Sequence, residues 1–376
     1  MPMPKKTEAC YPTYFLNRVY QIKYQRMKIY LKITASCLFS TLFSTYCLAQ
    51  QKNIIEVVKE ENNKRINILI NQQPFTSFIY PDSLEKPVLY PIYAANGEMI
   101  TRGFPISARP NEPVDHPHHI GLWLNYESVN GLDFWNNSSA IVPEKKAVYG
   151  WIKTTSIIKT SSGAQGSLTY GANWQDINKN VLLQETTSFY FSAIDNLRII
   201  DRITTLMAAT DVSMPDVKDG LLGLRVAHEL ELPFKEARAF TDNYGNITTI
   251  KAATDTTVSG NYITSGGITG DAAWGTRAAW CMLYGKLVRD SISIVIIDHP
   301  QNIGYPTYWH ARGYGLFSAN PLGQKIFSNG KTILNYALKK GESVTMRYRV
   351  VINAGKQSLT TDAIDLLATE FGNGYK

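Results

Sequence analysis

The chain has 376 residues, with 38 Lys and Arg, 31 Asp and Glu and six His, for a formal net charge of +7. Seven of the basic residues and one acid lie in residues 1–49, so residues 50–376 carry 31 basic and 30 acidic side chains, a net +1. That balance excludes a nucleic-acid or anionic-membrane partner held by bulk charge.

In chain order, residues 1–26 read as an upstream extension. Met27-Lys28 and Lys32 form a short basic region before an apolar stretch from Ile33 to Leu48, which ends in Cys47-Leu48-Ala49. Small residues at the −3 and −1 positions predict cleavage before Gln50. Residues 27–49 are thus expected to be a signal peptide and the mature protein periplasmic or secreted. The stretch is too short and too rich in Ser and Thr for a stable span. Tyr46, bulky where a small residue is wanted, argues against a lipid anchor on Cys47. Cys10, Cys37 and Cys47 would leave with the leader. Cys281, alone in the apolar run Ala278–Leu283, reads as a small buried hydrophobe, and no intramolecular disulfide is expected.

Residues 50–376 read as one domain of strand after strand. Ile54–Val58 and Ile66–Ile70 flank Glu61-Asn62-Asn63-Lys64, a hairpin signal. Val88–Tyr93 turns at Ala95-Asn96-Gly97 into Met99–Thr101, and Ile120–Leu124 follows the Pro117 loop. Val148–Ile158, Ser167–Trp174, Val181–Phe191 and Leu197–Leu206 come at near-regular spacing. Thr186–Phe191 alternates polar and aromatic residues, as a strand with one wet face should. Leu221–Leu232, Arg277–Leu283, Ser291–Ile297, Lys331–Leu338 and Val344–Ile352 follow, with a turn at Asp242–Asn246. Thr361–Phe371 places Ile364, Leu367, Ala368 and Phe371 at helical spacing, which predicts a helix packed on a sheet. The fold class expected is all-β, one large antiparallel β-sandwich with a C-terminal helix.

The six histidines fall in four places. His116, His118 and His119 lie within Asp115-His116-Pro117-His118-His119, His228 precedes Glu229, His299 follows Asp298, and His310 sits in Tyr308-Trp309-His310-Ala311-Arg312. Imidazole exchanges protons near neutral pH without a shifted pKa and is a common transition-metal ligand. Pro117 puts the first cluster on a loop before a strand, where functional groups concentrate. His116, His118, His119, His310 and Asp115 are therefore the candidate catalytic residues. Arg312, Trp309, Tyr308, Trp123, Asn320, Arg225 and His228 are candidates for substrate binding. On an alternating strand, Arg225 and His228 have opposite parity, so only one would face the site unless a bulge intervenes. The imidazoles are expected to meet in one solvent-reachable hollow at one end of the sandwich.

The runs Asp115–Trp123, Val129–Trp135, Trp309–Phe317 and Asn320-Pro321-Leu322-Gly323 resemble the bacterial PmoA-like family. Its catalogue label, methane oxygenase, conflicts with the sequence. No apolar run after the leader approaches the roughly 20 residues of a membrane span. The resemblance implies sugar catabolism in bacteria that export glycan-degrading enzymes. The expected sandwich also resembles the galactose-mutarotase-like supersandwich, an analogy of fold only.

These readings predict an exported carbohydrate-active enzyme, a glycan hydrolase or lyase with a histidine-rich acid/base site. Its partner would be a carbohydrate or other small molecule. One alternative is a metal-dependent enzyme with ligands among His116, His118, His119 and His310, its cofactor a divalent ion. Another is a glycan-binding protein without chemistry.

Overall fold

β-Branched and aromatic runs separated by polar turns give this chain its strands, and two large sheets bury them. The structure, a computed structural model, describes residues 53–110, 112–234, 236–241, 247–250 and 258–375. The leader read in residues 1–49, the start at Gln50 and the turn at Asp242–Asn246 lie outside the described residues.

The first strands are β1 (Ile55–Glu60), β2 (Arg65–Ile70), β3 (Gln73–Ile79), β4 (Val88–Ile92) and β5 (Leu122–Tyr126). Four long ones follow: β6 (Trp151–Ser161), β7 (Gly166–Gln175), β8 (Val181–Ile194) and β9 (Leu197–Ala208). Next come β10 (Val212–Met214), β11 (Gly220–Arg225), β12 (Arg238–Thr241), β13 (Ile247–Ile250) and β14 (Asn261–Thr264). The last are β15 (Trp280–Leu287), β16 (Asp290–Asp298), β17 (Tyr308–Ala311), β18 (Leu316–Asn320), β19 (Tyr336–Leu338) and β20 (Ser343–Gly355). One sheet has the order β1-β2-β3-β4-β5-β11-β18-β17 and the other β14-β15-β16-β20-β9-β8-β7-β6, with antiparallel pairing throughout.

The core lies between the sheets. Ile66, Leu122, Leu224 and Phe317 of the first join Leu168, Phe189, Ile294 and Val350 of the second in one buried cluster. Phe78 meets Tyr170 across it, ring centroids 4.5 Å apart. The expected alternation holds along β8, where Phe189 and Phe191 are buried and Thr186 is exposed. The other face of the second sheet carries the C-terminal helix. A single turn, α1 (Gln324–Phe327), precedes it, and α2 (Thr361–Asn373) sets Ile364 and Phe371 on Val295, Ile297 and Val351. Covering on both faces explains why β16 is apolar along most of its length.

Departures from the expected strands have local causes. β3 escapes the pattern because Pro74 and its polar neighbours interrupt the apolar run. The strand expected over Leu221–Leu232 ends at Arg225, and His228–Leu230 is a short 3-10 turn. Most of Lys331–Leu338 is loop, because the Asp216 carboxylate accepts the backbone N–H groups of Leu334 and Asn335 at 2.9 Å each. Met99 and Thr101 form only isolated bridges, to Tyr93 and Val226.

One acid organises the inner face of the second sheet. Glu185 accepts hydrogen bonds from Tyr170 Oη (2.6 Å), Trp174 Nε1 (2.8 Å), Thr187 Oγ1 (2.6 Å) and Arg202 Nη2 (2.9 Å). Glu185→Ala strips the counter-charge from a buried guanidinium and should cost about 3–5 kcal/mol. Urea unfolding reads that loss directly. A loss below about 1 kcal/mol would mean that Arg202 finds water or another partner.

Candidate active site

Successive side chains on a strand face opposite ways. Trp309 and Ala311 point into the core between the sheets, which sends His310 to the opposite face of β17. Leu122 and Leu124 do the same on β5, leaving Trp123 outward, and Leu224 on β11 leaves Arg225 outward. The site therefore stands on the face of the first sheet turned away from the second, not at one end of the sandwich. Trp123 lies across the β11 backbone, where a Cβ on Gly223 would come within 2.5 Å of its ring. Only glycine lets the indole lie there.

A buried ion cluster fixes the histidine loop above that floor. Asp115 Oδ1 accepts from Arg102 Nη1 and Arg225 Nη2, and Oδ2 accepts from Arg225 Nη1, all at 2.9 Å. His116 Nδ1 donates to Oδ2 as well. Arg102 also donates to the carbonyl oxygens of Asp115 (2.7 Å), His116 (2.9 Å) and His119 (3.2 Å), so one guanidinium gathers the whole loop. Glu231 Oε1 lies 3.5 Å from Arg225 Nη2, which balances two buried cations with two buried anions. Burial alone would raise the Asp115 carboxyl, but Arg225, the His116 bond and Arg102 outweigh it and hold it well below the usual carboxylate range.

The loop delivers its imidazoles to a cavity of about 290 Å3. His116, His118 and His119 line it with His310, Arg312, Tyr314, Trp135, Lys218 and Asp219. The His116 ring stacks between His119 (4.8 Å) and Tyr314 (5.2 Å), nearly parallel to both. Burial lowers the pKa of His116, against the pull of Asp115, and takes His118, His119 and His310 well below the ordinary value. All four rings are thereby favoured as neutral imidazole. His119 Nδ1 faces Arg225 Nη1 at 3.4 Å and can only accept there, which assigns its proton to Nε2. Nε2 of His118 and of His119 are buried with no hydrogen-bond partner among the described residues. A buried polar atom left so is costly, and a bound oxygen would satisfy it. His310 Nδ1 lies 3.4 Å from Asp219 Oδ1. Burial raises the carboxyl of Asp219, and that of Glu127 to about 8.

The remaining expected site residues have other positions. Trp309 is a core residue whose Nε1 donates to Ala278 O. Tyr308 stacks on Phe327 and carries Arg277 over its ring. Neither lines the cavity, because strand parity gives the core Trp309 and because Tyr308 is taken up by Phe327. Trp123 supports the site from behind, stacked on His119 at 5.3 Å. Asn320 ties down the segment before β11 by donating to the carbonyls of Val217 and Lys218. Arg225 and His228 both belong to the buried cluster, since His228 Nδ1 meets Glu231 Oε2 at 3.1 Å. The parity conflict dissolves because the strand ends at Arg225. Trp135, Tyr314, Lys218 and Asp219 also line the cavity without having been expected there, although Trp135 and Tyr314 fall within the runs Val129–Trp135 and Trp309–Phe317.

The four histidines do not form a metal shell. Among the described residues no group of three His, Cys, Asp or Glu is arranged to hold an ion. A metal lies in the plane of a ligating imidazole, and the parallel rings of His116 and His119 cannot share one.

The model of a family described as of unknown function, DUF6807, matches residues 65–368. The chain belongs to DUF6807. That membership overturns the resemblance to the PmoA-like family read from the histidine and tryptophan motifs. No helix among the described residues is long and apolar enough to cross a membrane. No curated protein matches the DUF6807 chain. Solved structures similar to it include the GH36 α-galactosidase AgaB of Geobacillus stearothermophilus, at 10% identity and TM-score 0.37, covering 80% of this chain and 41% of that one. A β-arabinopyranosidase matches at 12% identity and TM-score 0.32, covering 83% and 40%. A galactose mutarotase related enzyme from Lactobacillus acidophilus matches at 8% identity and TM-score 0.30, covering 81% and 98%. The DUF6807 chain thus spans about two fifths of the α-galactosidase.

Asp115→Asn leaves two buried guanidiniums facing one acid and should cost about 3–5 kcal/mol at neutral pH. The depressed native pKa makes the ionised carboxylate stabilising at every pH above its unfolded value of about 4, and that gain fades as pH falls toward the native value. The stability gap between wild type and variant should therefore stay level down to about pH 5 and narrow in stronger acid. Denaturation across that range measures it; a gap that widens in acid would contradict the assignment.

Proposed function

We propose that this protein is an exported carbohydrate-active enzyme, a hydrolase or lyase, whose histidines move protons on a sugar. The observation that carries the reading is the convergence of the loop histidines His116, His118 and His119 with His310, distant from them in sequence, on one cavity. Neutral imidazoles suit general acid–base work near neutral pH, each such group contributing roughly 10²–10⁴ in rate. Asp115 fixes His116 through Nδ1, so this ring exchanges protons at Nε2 while the carboxylate stabilises the imidazolium that forms. His310, close to Asp219, is the second proton-transfer group. One ring takes a proton from water, a hydroxyl or a C–H, and the imidazolium so formed gives that proton to the departing oxygen. His119 Nε2–H is a donor ready for a substrate oxygen.

The lining supports a sugar ligand. Trp135 and Tyr314 supply aromatic surface beside Asn136, the imidazoles and Arg312, a mixture suited to rings with apolar faces and polar edges. Export rests on the basic, apolar and small-residue pattern of residues 27–49.

His116→Asn and His310→Asn should each lower turnover by at least about 100-fold, with unchanged circular dichroism. Reducing-end release from an oligosaccharide panel reads hydrolysis, and the ultraviolet absorbance of an unsaturated product reads elimination. If both variants keep the wild-type rate, the histidines are not the proton-transfer groups.

A further inference from the structure

At the start of β9 the core between the sheets meets a cation. Arg198 has the parity of Ile200, whose side chain lies in the buried cluster between the sheets, while Leu197 and Ile199 turn to the face covered by α2. Arg198 lines a cavity of about 380 Å3 with Ile70, Gln73, Pro74, Tyr93 and the turn 94–97. The apolar wall of this cavity is the edge of the core itself, since Ile70 and Ala94 both belong to the buried cluster. No lining residue is shared with the histidine site.

One edge of the guanidinium is occupied and the other is not. Arg198 Nη1 donates to the carbonyl oxygens of Asp195 (3.1 Å) and Leu197 (3.0 Å), which fixes the group to the turn between β8 and β9. Nε and Nη2 have no partner among the described residues, and Arg198 forms no ion pair there. Asp290, held by Asn96 Nδ2 at 2.8 Å, leaves it unpaired. Burial lowers the Arg198 pKa, and no neighbouring charge offsets it. The same edge of Arg349 grips Asp201 by two parallel bonds, Nε to Oδ1 at 2.7 Å and Nη2 to Oδ2 at 2.9 Å. Arg198 thus carries a carboxylate-reading fork for which the described chain supplies no carboxylate.

We infer that this cavity is a second binding site, for a small carboxylate with an apolar body. The carboxylate takes Nε and Nη2 of Arg198, and the body lies over Ile70 and Ala94 beside Tyr93. Such a ligand answers both features of the wall: it returns a counter-charge to a partly dehydrated cation and removes the exposed edge of the core from water. The volume sits at the small end of ligand pockets, which suits a single small molecule. The site stands apart from the proposed function and does not rest on it.

Isothermal titration calorimetry on the full chain at low ionic strength tests the inference, with benzoate, 3-phenylpropionate and hexanoate each set against its neutral amide, and inorganic phosphate alone. At least one acid should bind about ten-fold or more tighter than its amide and than phosphate. Arg198→Met should bring that acid down to the affinity of the amide at an unchanged melting temperature. Arg198→Lys, which keeps the charge without the fork, should recover only part of the loss. His116→Asn should bind the acid as tightly as the wild type. Equal affinity for acid and amide in every pair overturns the inference, and so does failure of all three acids to bind. Phosphate bound as tightly as the acids overturns the apolar body. Binding weakened in His116→Asn and unchanged in Arg198→Met puts the anion in the histidine cavity and overturns the second site. If Arg198→Met is misfolded, Arg198→Lys decides: full wild-type affinity there overturns the fork.

Discussion

The site depends on one carboxylate held between two guanidiniums. Placing Asp115 out of water is costly, and Arg102 and Arg225 make it tolerable only in the geometry that also gathers the carbonyls of His116 and His119. Arg225 arrives from the end of β11 and Arg102 from the segment after β4, so the loop is fastened to the sheet at two points. Loop residues usually move more than their scaffold. Here the charge cluster ties the histidine loop to the strands below it.

The same burial sets the chemistry. A histidine exposed at a loop tip would titrate near its ordinary value and spend much of its time charged in mild acid. These rings, stacked on one another and on Tyr314 and Trp123, are kept neutral by the loss of solvent. Two of them retain unsatisfied Nε2 atoms in the wall of a polar cavity. Stacking thus keeps the rings neutral, and it closes in-plane approach to one common ion for the parallel pair His116 and His119.

Much of this was legible in the sequence. β-Branched runs at even spacing give an antiparallel sandwich, and the 3.6-residue spacing of Ile364, Leu367, Ala368 and Phe371 gives the helix on its outer face. The histidine loop and His310 were legible because polar residues of one rare type cluster beside a proline and within an aromatic strand. What escaped was whatever depends on parity after an unseen strand end. The β11 strand stops at Arg225, so His228 could join the same charge cluster as Arg225, which an unbroken alternation forbids. Trp309 drew attention as an aromatic beside a histidine, yet that adjacency is what sends it to the other face. Asp219 and Lys218 carry no motif, and only the folding of β11 against β5 and β18 brings them to His310.

The order of strands in the first sheet has a consequence for how the site comes into being. β5 and β18, nearly 200 positions apart in the chain, flank β11, and the cavity takes residues from the segments beside all three. Its two walls are therefore written in opposite halves of the polypeptide. A partly synthesised or clipped chain holds one wall only, with imidazoles but no facing partner. A cut anywhere between Lys145 and Lys218 therefore parts the His116–His119 loop from His310, Arg312 and Tyr314.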